Sequence, residues 1–179
     1  MAEMTRKEVA AMITQADGGI PYLACLDLSG LDLTGLDLRG ANLTATNLAG
    51  ANLAGVNFSK NPQTEGAATL IRARLAGASL AGAKLVGVNL AAADLTGTDL
   101  AGADLRNVNL ACEGTENAKL MGASLQDANL TGANLTGADL KGADFTGAQL
   151  QDTIFYKADL TGVKGYAAKD PGTQAQAAP

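Results

Sequence analysis

A large apolar residue, Leu or Phe, recurs at every fifth position along most of the chain. A small residue sits two places before it, and Asp or Asn one place before it. Ala41-Asn42-Leu43-Thr44-Ala45 is one unit, and Ala133-Asn134-Leu135-Thr136-Gly137 is another. Three runs share this pattern: Leu28 to Phe58, Leu70 to Leu110, and Leu120 to Leu160, with Phe145 and Phe155 in the last. A period of five fits neither the helix at about 3.6 nor the strand at about 2, so either element would scatter the apolar stripe in all directions. The chain must instead turn once per unit. Glycine marks the turn: 16 of 22 glycines lie two places after the large residue, where a tight turn calls for positive φ. The Asx residue before the large one can accept backbone hydrogen bonds and favour the bend. With the large residue and the small one two before it facing inward, four units close a square coil. Successive coils then stack through backbone hydrogen bonds.

The A-(D/N)-L-x-x unit, repeated from Leu26 to Gly162, resembles the pentapeptide-repeat family. The resemblance implies an all-β solenoid, a right-handed quadrilateral β-helix of about seven coils. It implies no single activity, because one scaffold hosts unrelated tasks. Residue sizes suit such a core. Leucines fill the coil centre, each contributing roughly 1.5–3 kcal/mol on burial. Ala78, Ala83, Ala103, Ala123, Ala128, Ala133, Ala138 and Ala143 leave room for them.

Counting four units per coil predicts the vertical register. One inward column reads Leu28, Leu48, Leu70, Leu90, Leu110, Leu130, Leu150, and another Leu33, Leu53, Leu75, Leu95, Thr115, Leu135, Phe155. At ~4.8 Å per coil the rod is roughly 30 Å long. Two irregularities interrupt it. Ser59–Ala67, with Pro62 and Gly66, reads as a loop holding a two-residue insertion. Glu113–Asn117 keeps the phase but puts Glu113 and Thr115 at inward positions, so this side is expected to bulge outward.

The ends read differently. Thr5-Arg6-Lys7-Glu8 fits a capping box, and Val9, Met12, Ile13 and Ala16 follow at helical spacing. Residues 1–19 are thus expected to form an N-terminal capping helix. It would cover a first coil in which Leu26, Leu31 and Leu36 replace the usual alanine. Residues 20–164 form the β-helix, and 165–179, rich in Ala, Gln, Gly and Pro, form a flexible tail. The C-terminal coil is thinly covered. Either Tyr156 and Tyr166 fold over it, or it meets another protein or a second copy, giving a homodimer.

Composition narrows the function classes. The chain has no His and no Trp, no Cys pair at zinc spacing and no phosphate-binding glycine loop. Ser–His and Cys–His nucleophile pairs are therefore excluded. The reading is a non-enzyme without cofactor or metal. Cys25 and Cys112 would lie about 19 Å apart on the ladder, too far for a disulfide. A net charge of −5 with scattered cations argues against direct nucleic-acid binding. Nothing resembles a signal peptide or membrane span, so a cytoplasmic location is expected.

The counted register puts Asp37, Asn57, Ser79, Asp99, Lys119, Asp139 and Asp159 in one column, with Asp104 and Asp144 on the next face. Asp99, Asp104, Asp139, Asp144 and Asp159 are then expected to form one acidic stripe, a candidate partner-binding site. The reading is a rigid scaffold for protein–protein interaction with an unnamed partner. The alternative, implied by gyrase-directed members of the family, is a DNA mimic that regulates DNA gyrase in the manner of quinolone-resistance proteins.

Overall fold

The computed structural model describes residues 4–111 and 117–166. The inward leucines do what the period demands: Leu28, Leu33, Leu38, Leu43 and their successors are fully buried in one continuous core, with Phe58 and Phe145 among them. Each unit makes the same two kinds of backbone bond. The N–H three places after the large residue donates back to that residue's carbonyl, closing the turn, as in Leu31 to Leu28 at 3.3 Å. The large residue's own N–H donates to the next coil, as in Leu28 to Asn47 at 2.8 Å. The residue between turns bridges in parallel to its counterparts above and below.

These bridges define four faces. Face 1 reads Tyr22, Asn42, Thr69, Asn89, Asn109, Asn134, Ile154. Face 2 reads Asp27, Asn47, Arg74, Asp94, Lys119, Asp139, Asp159. Face 3 reads Asp32, Asn52, Ser79, Asp99, Ser124, Asp144, Lys164. Face 4 reads Asp37, Asn57, Lys84, Asp104, Asn129, Gln149. Faces 1 and 3 lie opposite one another across the core, as do faces 2 and 4. The coil count is close to seven, and the rod is ~29 Å long at ladder spacing.

The register differs from the counted one. Asn42 bridges to Thr69, a step of 27 residues where the ordinary step is 20, so the first interruption inserts seven residues rather than two. Leu70 therefore stacks above Leu43, not Leu48. The reason lies in the loop's own bonds. Ala68 N–H donates to Phe58 C=O at 2.9 Å, closing the turn that Phe58 opens after seven extra residues. Counting leucines cannot separate one unit plus seven residues from two units plus two. The second interruption keeps the five-residue phase but shifts the coil register. Asp94 bridges to Lys119, a step of 25, so five residues are added between Asn109 and Lys119. Cys112, Glu113 and Thr115, on which the expected bulge rested, lie outside the described residues, as does the tail beyond Tyr166.

The N-terminal helix α1 spans Arg6–Gln15, with Thr5 and Glu8 forming a reciprocal capping box. Val9 is fully buried, and Met12 and Ile13 pack on the core beside Leu26, Leu31 and Leu36. Arg6 adds a contact the sequence pattern did not reveal. Its guanidinium donates to the carbonyls of Asp32 at 2.8 Å and Thr34 at 2.7 Å. Both carbonyls point out of the first coil, where no earlier coil exists to receive them. The seven-residue insertion contributes likewise: Asn61 Nδ2 donates to Arg39 C=O at 3.4 Å, and Gln63 reaches Gly18.

The C-terminal end carries the complementary backbone groups. Among the described residues, the N–H groups of Leu150, Asp152, Phe155, Lys157, Leu160 and Gly162 find no backbone acceptor. Tyr166 turns back over this end, its ring 5.2 Å from Phe155, which packs edge-on against Phe145 at 6.0 Å. Tyr156 lies instead beneath the Lys157 ammonium, 5.0 Å away.

Candidate interaction surface

The five aspartates expected to form one stripe are spread over three faces, because the stripe depended on the counted register. Asp139 and Asp159 stack on face 2, and Lys141 bridges them with contacts of 3.2 and 3.0 Å. Asp104 stands on face 4, held by Arg106 through two bonds of 2.8 and 2.7 Å. Asp99 and Asp144 share the third face, two coils apart with Ser124 between them. Charge follows this division. Asp104, Asp139 and Asp159 each have a cation at hydrogen-bond distance, so faces 2 and 4 are internally compensated.

Face 3 is different. Asp32, Asp99 and Asp144 occupy its bridging positions, and exposed Asp127 stands on its corner. Lys164, in the last coil, is the cation among its bridging residues. The flanking side chains are small: Ala54, Ala81, Ala101 and the corner glycines Gly55, Gly82 and Gly102. Asp127 was not singled out from sequence, because its position after Leu125 belongs to the turn, where glycine is usual. The Asp144 carboxylate accepts from the Thr146 hydroxyl at 2.6 Å and N–H at 3.0 Å, and from Gln126 Nε2 at 2.8 Å. These bonds, the Thr146 hydroxyl first, lower its pKa to about 2. Asp159 is also lowered to about 2, by Thr161 first and then by Lys141. Both are held ionised and oriented. Face 1, opposite, carries Asn42, Asn89, Asn109 and Asn134 and an exposed Tyr22 and Ile154, with no acidic bridging residue. The rod is thus polarised across its width. Among the described residues no cluster of acidic and sulfur side chains could hold a metal ion.

The repeat geometry agrees with the comparison to known families. A family model described as pentapeptide repeats matches eight copies over residues 23–60, 73–110 and 123–162. This chain is a pentapeptide-repeat protein. Its coil is accordingly a right-handed quadrilateral β-helix. It is 31% identical to the pentapeptide repeat protein Rfr23 of the cyanobacterium Cyanothece 51142, covering 71% of this chain and 89% of that one with a TM-score of 0.46. It is 30% identical to a pentapeptide repeat protein of the Arabidopsis thaliana thylakoid lumen, covering 63% and 66% with a TM-score of 0.36. QnrB1, a plasmid-mediated fluoroquinolone resistance protein, is 17% identical over 85% of this chain and 76% of that one, with a TM-score of 0.38. No match was found among curated proteins. No helix among the described residues is long and apolar enough to cross a membrane.

Proposed function

We propose that this pentapeptide-repeat protein is a non-enzymatic interaction module, a stiff rod that presents acidic face 3 to a basic protein surface in the cytoplasm. The observation that carries the reading is the unequal distribution of compensated charge. Carboxylates on faces 2 and 4 are held by Lys141 and Arg106, whereas on face 3 Asp99 and Asp127 have no ion-pair partner among the described residues, and Arg6 and Lys164 act on Asp32 and Asp144 at the two ends. A surface of one sign on a rigid support favours steering and orientation of an oppositely charged partner. Pairing of two copies through the C-terminal coil would use the other open surface. There, among the described residues, the free N–H groups of Leu150, Phe155 and Leu160 alternate with the carbonyls of Ala148, Thr153 and Ala158, and Leu160, Val163 and Tyr166 supply apolar contact.

The test is cross-linking capture from host cells with the wild type and with Asp99→Lys/Asp127→Lys/Asp144→Lys. A partner lost in this variant, and retained by an Asn57→Lys/Asn129→Lys control on face 4, supports the reading. Equal capture by both sinks it.

The second reading, mimicry of duplex DNA toward DNA gyrase, draws on the same face, and charge density weighs against it. Duplex DNA carries about one charge per 1.7 Å, or roughly 17 over a rod of ~29 Å at ladder spacing. Face 3 has four carboxylates. A purified-gyrase supercoiling assay decides: inhibition that weakens with salt and disappears in the triple Lys variant would establish mimicry in place of a scaffold.

A further inference from the structure

An open cleft of about 590 Å³ lies at the corner between faces 1 and 2, lined by Arg72, Arg74, Asp94, Asn117 and Lys119 with Ala73 and Ala92 at its floor. Its position follows from the register. Arg74, Asp94 and Lys119 stand on three successive coils of face 2, and the small alanines between them leave the depression.

The cations are the informative part. Arg6, Arg39 and Arg106 are committed to carbonyls or carboxylates, and Arg72 is also engaged. Arg74 makes no ion pair or side-chain hydrogen bond among the described residues, and neither does Lys119. Asp94 lies between them within electrostatic reach of both, but its hydrogen bonds go to the Thr96 N–H at 3.1 Å and hydroxyl at 2.7 Å. Two cations with unused donors therefore face one cavity, on a chain of net charge −5.

We propose that this cleft is an oxyanion seat that takes the phosphate group of a monoester ligand. Arg74 and Lys119 stand two coils apart, ~9.6 Å at ladder spacing. A planar carboxylate is satisfied by one guanidinium fork. A tetrahedral phosphate presents oxygens in several directions and can meet a guanidinium and an ammonium at once. The volume falls within the range of small-molecule sites. The seat is independent of face 3 and of whatever meets it.

Titration with inorganic phosphate against chloride at constant ionic strength, followed by amide NMR shifts, tests the assignment. Saturable shifts confined to residues 72–74, 92–94 and 117–119 are expected. Arg74→Gln/Lys119→Gln, both exposed, should lose ~10-fold or more of the affinity, as loss of charge-assisted bonds implies. Lys84→Gln, on another face, should bind as the wild type does. Shifts that stay linear, or that persist unchanged in the double variant, would overturn the seat. Glucose 6-phosphate and a phosphoserine peptide, titrated in the same way, separate a small-molecule from a protein source by which binds tighter than inorganic phosphate. If neither does, the cleft only collects ions and the proposal fails.

Discussion

At the residue scale, the repeat imposes one backbone conformation on unlike side chains. All 16 glycines two places after a large residue have positive φ, and so do Cys25, Ala45, Arg72, Ala92, Asn107, Asp127, Asp152 and Lys157 at the same station of their units. The stacked ladder dictates the turn, and the side chain tolerates it at a cost of roughly 1–2 kcal/mol. Gly50 isolates that cost, since a Cβ there would meet nothing within 4 Å. Gly50→Ala should lose about 1 kcal/mol once the reduced entropy of the unfolded chain is allowed for, measured by urea unfolding. No loss would mean that the turn relaxes to accept alanine. Gly165 is a harsher case. It occupies an inward station where leucine would continue the core, has φ of 68°, and its Cβ would press on the backbone of Phe145 and Thr146. Gly165→Ala should displace Tyr166 from Phe155 and destabilise the last coil more than Gly50→Ala does. In the core, Leu130 is fully buried and its column neighbours are Leu105 and Leu150. Leu130→Ala should cost about 2–5 kcal/mol, as a truncation that leaves a cavity does. A loss of a few tenths would contradict its burial.

At the element scale, an open solenoid end is a row of unpaired backbone groups, and the two ends of this rod meet that requirement by different means. α1 buries Val9 over the first coil, while Arg6 satisfies two orphaned carbonyls. Arg6→Ala should therefore destabilise by about 1 kcal/mol, the scale of exposed charge-assisted bonds to backbone, without loss of helix signal in circular dichroism. Deleting Met1–Gly18 should expose the Leu26, Leu31 and Leu36 layer and give aggregation, read by light scattering. A monodisperse, equally stable truncation would remove the capping role. Elements of this kind were legible in the sequence to unequal degrees. The helix announced itself through Thr5 and Glu8, and the coil through its period, because both are local codes. Arg6 reaching Asp32 is not a local contact and left no periodic trace. The register failed for a related reason. Phe58 and Leu70 look the same whether two or seven residues are inserted, and only the bond from Ala68 to Phe58 tells them apart. The second interruption then redistributed the acidic residues: with its five added residues uncounted, Asp99 fell into the column of Asp139 instead of that of Asp144. Local chemistry survives a register error, whereas a surface assembled from seven coils does not.

At the scale of the whole molecule, the carboxylates are the chain's pH-sensitive framework. With no histidine in the sequence, no imidazole titrates near neutrality. The Asx residues sit at the turns and accept from the N–H two places on, as Asp27 does from Ser29 at 3.1 Å and Asp144 from Thr146 at 3.0 Å. Such bonds favour the ionised form and lower the pKa in the fold. Asp27, Asp32, Asp37, Asp94, Asp104, Asp144 and Asp159 are all lowered, the last two to about 2. A folded pKa below the unfolded one means that the folded state holds fewer protons through the intervening range. Its contribution is then fully present above the unfolded value of 3.8 and is lost as pH falls toward about 2. Because the turns repeat along the rod, the losses should act on many coils together rather than on one site. Thermal unfolding followed by circular dichroism should accordingly show a Tm that changes little between about pH 5 and 8 and falls steeply below about pH 4. Asp144→Asn should reduce the acid dependence while leaving the Thr146 N–H an amide oxygen to bond. A Tm that rises on acidification through pH 3 would show that repulsion among the carboxylates outweighs their turn bonds, and that the acidic faces are carried at the expense of the rod's stability.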